Sequence, residues 1–372
     1  MKKKILAVLL GITMTLGLAG CGTSSGSTVS ASPQETVSQA SGSEGTAMET
    51  SSPEAASGQE TPSQEEQAAL SGKVVVYCPS PAGLADKMAE AFTAKTGVQV
   101  EMFLGTTGEI LARLEAEKAN PIADVVIMAS WADGLGMIQD DQVLSYEPAN
   151  ADKMNPDWID ADKKIYGYSA SAVGVIYNTT QIDQLDADWA ELGSDPAYKD
   201  LIAIPDPVKS GACKDFLSGY SYAFGKEAQS VIDSWVANGL TNPGANKAAL
   251  EAVTTGEKAI LIAGVDYNAY SSMDKGEPLS IYYPASGTVI NPRPAMILKT
   301  SQNTDNAKAF MDFLLSDEGQ QLVCDAYLLP GRTDITTDKR TNAADIPTFD
   351  LDWSWMMENS ARIAEDLVNS CK

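Results

Sequence analysis

The chain has 372 residues, 44% of them apolar and 20% charged, enough for a core divided between about two domains. Its 26 Lys and Arg stand against 50 Asp and Glu, and the resulting net charge of −24 repels phosphate backbones and anionic bilayers, which excludes nucleic acid as a partner class. There is no histidine, so the commonest general base, the Ser-His and Cys-His nucleophile pairs and the usual imidazole metal ligand are all missing. Neither an enzyme nor a resident cofactor is expected.

At the start of the chain Lys2, Lys3 and Lys4 form a basic segment, and Ile5 to Leu18 form an uncharged apolar run too short for a comfortable membrane span. The run ends in Leu18-Ala19-Gly20-Cys21, which resembles a bacterial lipobox. Residues 1–20 therefore read as a lipoprotein export signal and Cys21 as the lipidated residue. From Gly22 to Gly72 the composition turns to Ser, Thr, Gly, Ala, Gln and Pro, with seven Glu and no Asp, Lys or Arg. Such a segment cannot bury a core, so residues 21–72 are expected to be the lipid attachment point and a disordered tether. With the three signal lysines and the seven glutamates removed, a charge of −20 remains on the folded part, a solubility feature of an exported surface protein. Four cysteines remain there, Cys78, Cys213, Cys324 and Cys371; export permits disulfides, and the sequence allows three complete pairings or none.

From Lys73 onward β-branched runs alternate with helical patterns. Lys73 to Cys78 reads as a strand buried on both faces, and Leu84, Met88 and Phe92 recur at helical spacing until Thr96-Gly97. Val98 to Phe103 is a second strand, Ile110, Leu111 and Leu114 share a helical face, and Asp124 to Met128 is a third strand. This alternation predicts a parallel sheet covered by helices. Leu201 to Ile204, a helical pattern over Asp215 to Asn238, and Ala259 to Ala263 predict a second α/β unit. Gly167 to Asn178 and Ser280 to Leu298 are extended segments placed to cross between the units. Asn303 to Val323 and Trp353 to Val368 then read as helices. Two lobes joined by two crossings make a hinge around a cleft.

Hydroxyl residues stand where the strands end. Ser80-Pro81, Thr106-Thr107-Gly108-Glu109, Ser130-Trp131 and Ser210-Gly211 each open a helix at the carboxyl end of a strand, and Thr106 and Glu109 have capping-box spacing. Free N–H groups and the positive end of a helix dipole attract anions, and ligands of open α/β sheets lie beyond the strands' carboxyl ends. Ser80, Thr106, Thr107, Ser130 and Ser210 are thus candidate oxyanion ligands, with Ser171 on the first crossing beside them. Each also reads as an ordinary helix cap or loop hydroxyl. Asp266 and Tyr267 follow the strand at 259–263; the Asp suits an amine or hydroxyl of a ligand, or the cap of the next helix.

Several stretches together carry a family resemblance: Phe92-x3-Thr96-Gly97-Val98-x-Val100, Gly105-Thr106-Thr107-Gly108-Glu109, Arg113-x-Glu115-x-Glu117-x2-Asn120-Pro121-x-Ala123-Asp124-Val125, Gly174-Val175-Ile176-Tyr177-Asn178, Asp206-Pro207-x2-Ser210-Gly211 and Phe313-x2-Ser316-x2-Gly319-Gln320. In this order, from Lys73 to Arg332, the chain resembles the extracellular solute-binding proteins of ATP-driven (ABC) importers, in the branch of ferric-iron, aminoethylphosphonate and sugar-phosphate binders. The resemblance implies a type II periplasmic-binding-protein-like α/β fold, with 73–172 plus 284–372 as one lobe and 173–283 as the other. It also implies a monomer anchored at the outer face of the cell membrane that passes a small anionic solute to a membrane permease. Iron binders of this branch use an adjacent tyrosine pair after the Gly256-Glu257-x-Ala259 strand; here the pair position reads Asp266-Tyr267. That departure favours a phosphonate or phosphate ester, with an amine facing Asp266 if the solute has one, over ferric iron held by Tyr267 and Asp266.

Overall fold

The computed structural model describes residues 70–372, which lie within one compact unit. The export signal, Cys21 and nearly all of the expected tether lie outside the described residues. The first lobe opens with β1 (Lys73–Cys78), whose consecutive valines are buried on both faces, followed by α1 (Ala82–Thr96) and β2 (Gln99–Leu104). Gly97 ends α1 at φ 78°, a conformation that favours glycine. After it come α2 (Thr107–Ala116), β3 (Val125–Ile127), α3 (Trp131–Gln139) and β4 (Val143–Leu144). The pair β1–β2 and the pair β1–β3 are both parallel, as strands joined through crossover helices should be.

The first crossing is β5 (Tyr166–Asn178), thirteen residues buried throughout. Beyond it lie α4 (Trp189–Ser194), β6 (Ile202–Ala203), α5 (Gly211–Phe224), α6 (Lys226–Ala237), α7 (Asn246–Thr254), β7 (Ile260–Val265), α8 (Asp266–Asp274) and β8 (Leu279–Tyr282). The chain returns through β9 (Ile290–Leu298) to α9 (Thr304–Leu314), α10 (Asp317–Asp325) and β10 (Leu329–Pro330), and ends in α11 (Trp353–Ser370).

β5 ties the lobes together. Its first half pairs antiparallel with β9, and its second half with β7 and β8, so the strand order runs β2-β1-β3-β9-β5-β7-β6 through both lobes. A mixed α/β chain with two strand sets sharing two crossing segments is the predicted architecture.

Three boundaries differ from the sequence expectation. The helix expected over Asp215 to Asn238 is two helices, because Gly225 sits at φ 55° between α5 and α6. The helix expected over Asn303 to Val323 is also two; Ser316 accepts a hydrogen bond from Gly319 N and caps a fresh start for α10. The end of the chain, expected in the first lobe, contacts both α3 and α5. Phe349 joins Phe216, Tyr220 and Phe224 in an aromatic cluster of α5, and Leu351 lies against Gly219 of that helix. Helical periodicity gives the apolar face of α11 but not the neighbour that covers it. Cys78, Cys213, Cys324 and Cys371 are all free thiols.

Candidate functional site

Each hydroxyl singled out from the sequence has a definite place. Thr106 caps α2, accepting from Glu109 N at 3.3 Å while Glu109 Oε2 accepts from Thr106 N at 2.7 Å. These bonds to the ionised form hold the Glu109 carboxyl below its usual range. Ser210 caps α5 by accepting from Cys213 N at 3.2 Å. Ser80 does not cap α1, whose N-cap position is Pro81 without a side-chain bond; Ser80 Oγ lies 3.0 Å from the Tyr168 hydroxyl instead.

Thr107 and Ser130 mark where the lobes touch. Thr107 Oγ1 accepts from Ala129 N at 3.4 Å, and a Cβ on Gly211 would sit 3.0 Å from both Thr107 Oγ1 and the Ala129 carbonyl carbon. A side chain at Gly211 would crowd Thr107 and Ala129, so glycine suits this close approach of the start of α5. Ser130 Oγ donates to Asp215 Oδ1 at 2.6 Å and accepts from Asp133 N, while Trp131 N donates to Asp215 Oδ2 at 3.1 Å. Beside them Lys214 and Asp133 pair at 2.6 Å. The N-terminus of α3 in one lobe is therefore capped by a carboxyl from α5 in the other. Burial first, then Asp133, pushes the Asp215 carboxyl up to about 8, with Ser130, Lys214 and the Trp131 N–H opposing.

Asp266 has no exposed surface, and its carboxylate is fully occupied. Oδ1 accepts from Tyr267 N at 2.7 Å; Oδ2 accepts from Ala172 N at 2.9 Å, from the Tyr283 hydroxyl at 3.1 Å and from Arg340 Nη2. The Arg340 pair is buried on both sides and ties the segment between β10 and α11 to the start of α8. Asp266 thus faces Arg340, where the sequence suggested an amine of the ligand. Just before it, β7 carries an irregularity against β5, with Ala263 at φ 51°, a strained position of the kind that re-aims neighbouring side chains.

Ser171 belongs to a group the sequence reading largely passed over. On the ribbon of β5 and β9, Ser169 lies opposite Arg293 and Ser171 opposite Asn291, so all four side chains share one face. Their exposures are 0% for Ser169, Ser171 and Asn291 and 2% for Arg293. Ser169 Oγ, Ser171 Oγ, Asn291 Oδ1, and Arg293 Nε and Nη2 have no hydrogen-bond partner. The Arg293 guanidinium lies 6.0 Å from the Tyr267 ring centre. Burial raises the pKa of both Tyr267 and Cys78, and the Arg293 charge works against each shift. The unpaired cation therefore sits between the carboxyl end of β1 and the start of α8, among groups from both lobes. Tyr267 also lines a cavity of about 260 Å³ with Pro81, Lys87, Asn268 and Ser271. Among the described residues no three His, Cys, Asp or Glu side chains converge as a metal-binding group.

Residues 120–358, well over half of the chain, match the family model described as bacterial extracellular solute-binding protein. The chain belongs to that family. An iron uptake protein A1 of Synechocystis is 25% identical over 245 residues, 62% of this chain and 67% of the relative. A putative 2-aminoethylphosphonate-binding periplasmic protein of Salmonella typhi is 24% identical over 265 residues, 68% of this chain and 76% of the relative. In fold, the chain is similar to the periplasmic binding protein AfuA of Actinobacillus pleuropneumoniae, solved with fructose-6-phosphate bound. The TM-score is 0.74 at 22% identity, over 81% of this chain and 98% of AfuA. The solute-binding protein has the two-lobed type II architecture that the sequence resemblance implied.

Proposed function

We propose that this solute-binding protein is the receptor of an ATP-driven importer: it closes its two lobes on a small organic anion and presents it to a membrane permease. Lipid on Cys21 holds it at the outer face of the membrane. The observation that carries the reading is the strip of four buried polar side chains on the crossing strands, in which Ser169 Oγ, Ser171 Oγ, Asn291 Oδ1 and Arg293 Nε and Nη2 have no hydrogen-bond partner. Buried polar groups are almost always hydrogen-bonded, so a set of unpaired ones between two lobes marks the place of a ligand. Ser171 and Tyr267 are proposed to stay with that ligand, and Ser80 to act through Tyr168. Thr106, Thr107, Ser130 and Ser210 form helix caps and the contact between lobes, and so favour the closed form in which the ligand is held.

The relatives support two classes of cargo, phosphorylated or phosphonate solutes and ferric iron. The organic anion fits better. A cation 6.0 Å from the Tyr267 ring disfavours Fe³⁺ there, burial opposes the phenolate that iron needs, and the Asp266 carboxylate is already bound to Arg340. An importer receptor of this kind works by differential affinity: the solute stabilises the closed arrangement, and closure is what the permease reads.

The test is small-angle X-ray scattering and thermal unfolding of the full chain with 2-aminoethylphosphonate, fructose-6-phosphate or ferric citrate. A bound solute at a hundred times its Kd stabilises the folded state by about 2.7 kcal/mol. A phosphonate or phosphate ester should give an upward shift of this order, with compaction. Compaction with ferric citrate alone would replace the organic anion by iron, and no response to any of the three would remove the receptor reading.

A further inference from the structure

The geometry points to Arg293 as the residue that selects the cargo, by clamping a phosphoryl or phosphonyl group with one edge of its guanidinium. This inference rests on the receptor reading above and names the chemistry of its site.

Arg293 is 2% exposed, and among the described residues no carboxylate bonds to it. Every other buried arginine has an acidic partner: Arg332 pairs with Asp317 and Asp334, and Arg340 with Asp266. Burying a guanidinium without a counter-ion is costly, and a protein with an overall excess of acid has every opportunity to supply one. The missing partner is therefore an anion from outside the chain.

The unpaired atoms say which kind. Nε and Nη2 lie on the same edge of the planar guanidinium and present two parallel N–H donors, the arrangement that grips two oxygens of one oxyanion. Ser169 Oγ and Ser171 Oγ add two more donors from the same face of the ribbon. These four donors can be shared among the three oxygens of a tetrahedral phosphoryl or phosphonyl group, and the glycerate arm of the test sets that group against a carboxylate. Asn291 Oδ1 is an acceptor in the same row, suited to the acid proton of a monoanion or to a hydroxyl next to the charge. Tyr267 joins this row to the cavity of about 260 Å³, where Lys87, Asn268 and Ser271 line space for the rest of a small molecule. The cavity is also lined by Asp325, which pairs with Lys339 through Oδ1.

The test is calorimetric titration of the full-length wild type, Arg293→Gln and Arg293→Lys with inorganic phosphate, methylphosphonate, glycerol 3-phosphate and glycerate. Wild type should bind at least one phosphorus anion and prefer it to glycerate. Losing a charged bidentate contact should weaken that binding by roughly 10- to 100-fold in Arg293→Gln. Arg293→Lys, which keeps the charge but not the fork, should recover only part of it. Without ligand, Arg293→Gln should melt no lower than wild type, since it removes an unpaired buried charge; Arg293→Lys serves as the variant of record if the Gln form does not fold. Wild-type affinity in both variants would overturn the role of Arg293 while leaving the receptor function standing. Preference for glycerate, or no binding of any phosphorus anion by wild type, would overturn the ligand chemistry.

Discussion

Asp215 has no exposed surface and spends its carboxyl on Ser130 and the backbone of Trp131, across the junction of the lobes. Its pKa of about 8 in the folded protein lies far above the value of about 3.9 of an unfolded chain. Between these values the folded form holds a proton that the unfolded form has released. Folding then takes up a proton, so this contribution is fully present below the unfolded value and is lost as pH rises toward 8. Asp133 and Lys214, an ion pair at 2.6 Å, face the same carboxyl. Urea denaturation of wild type and Asp215→Asn at pH 5 and pH 8 should show a larger loss of stability with pH in the wild type. Equal pH dependence in both would mean that Asp215 is ionised in the folded protein. The sequence reading singled out Ser130 but could not see Asp215, which lies 85 residues away and reaches it only through the meeting of two helix starts. Asp266 is similar: its position after a strand was legible, whereas its partner Arg340 is 74 residues further on. Arg293 did leave a signal, a lone charge inside the apolar run of the return crossing, at a position that shares a sheet face with its neighbours at i±2.

The strands were the most legible elements, since Val74-Val75-Val76, Val125-Val126-Ile127 and Ile260-Leu261-Ile262 are buried runs flanked by loop residues. Helix ends were harder. Gly225 and Ser316 break periodic patterns that are apolar on both sides of the break, and the period alone does not register a change of axis. The docking of α11 on α5 was not legible, because Trp355 meets Tyr222 and Met356 meets Gly219 only through the folded chain, far apart in sequence. The export elements rest on sequence alone: the basic segment, the apolar run and Cys21 occur in the order a lipoprotein signal requires. No helix among the described residues is long and apolar enough to cross a membrane. Cys21→Ala should therefore move the protein from the membrane fraction to the soluble fraction on cell lysis, with solute affinity unchanged. Continued membrane association of that variant would require a different anchor.

At the scale of the whole molecule, two lobes share two crossing strands, and the ligand site is proposed on the strands themselves. That placement explains how a small solute influences a hinge: Arg293 and Ser171 lie on the segments that must bend, while Tyr267 begins the first helix after β7 of the second lobe. In this proposal an anion neutralises Arg293, a buried cation without an ion-pair partner among the described residues, so binding and closure draw on the same free energy. A net charge of −24 is no obstacle, because the unpaired guanidinium is local and shielded from solvent by both lobes. Capture of an organic phosphorus anion is thus the central claim, and native mass spectrometry of the full chain, isolated without denaturation, tests it most directly. A single adduct with the mass of a small phosphate ester or phosphonate is expected, lost on unfolding and absent from Arg293→Gln. An iron adduct, a cationic or neutral solute, or bare protein even after incubation with methylphosphonate and glycerol 3-phosphate would contradict it.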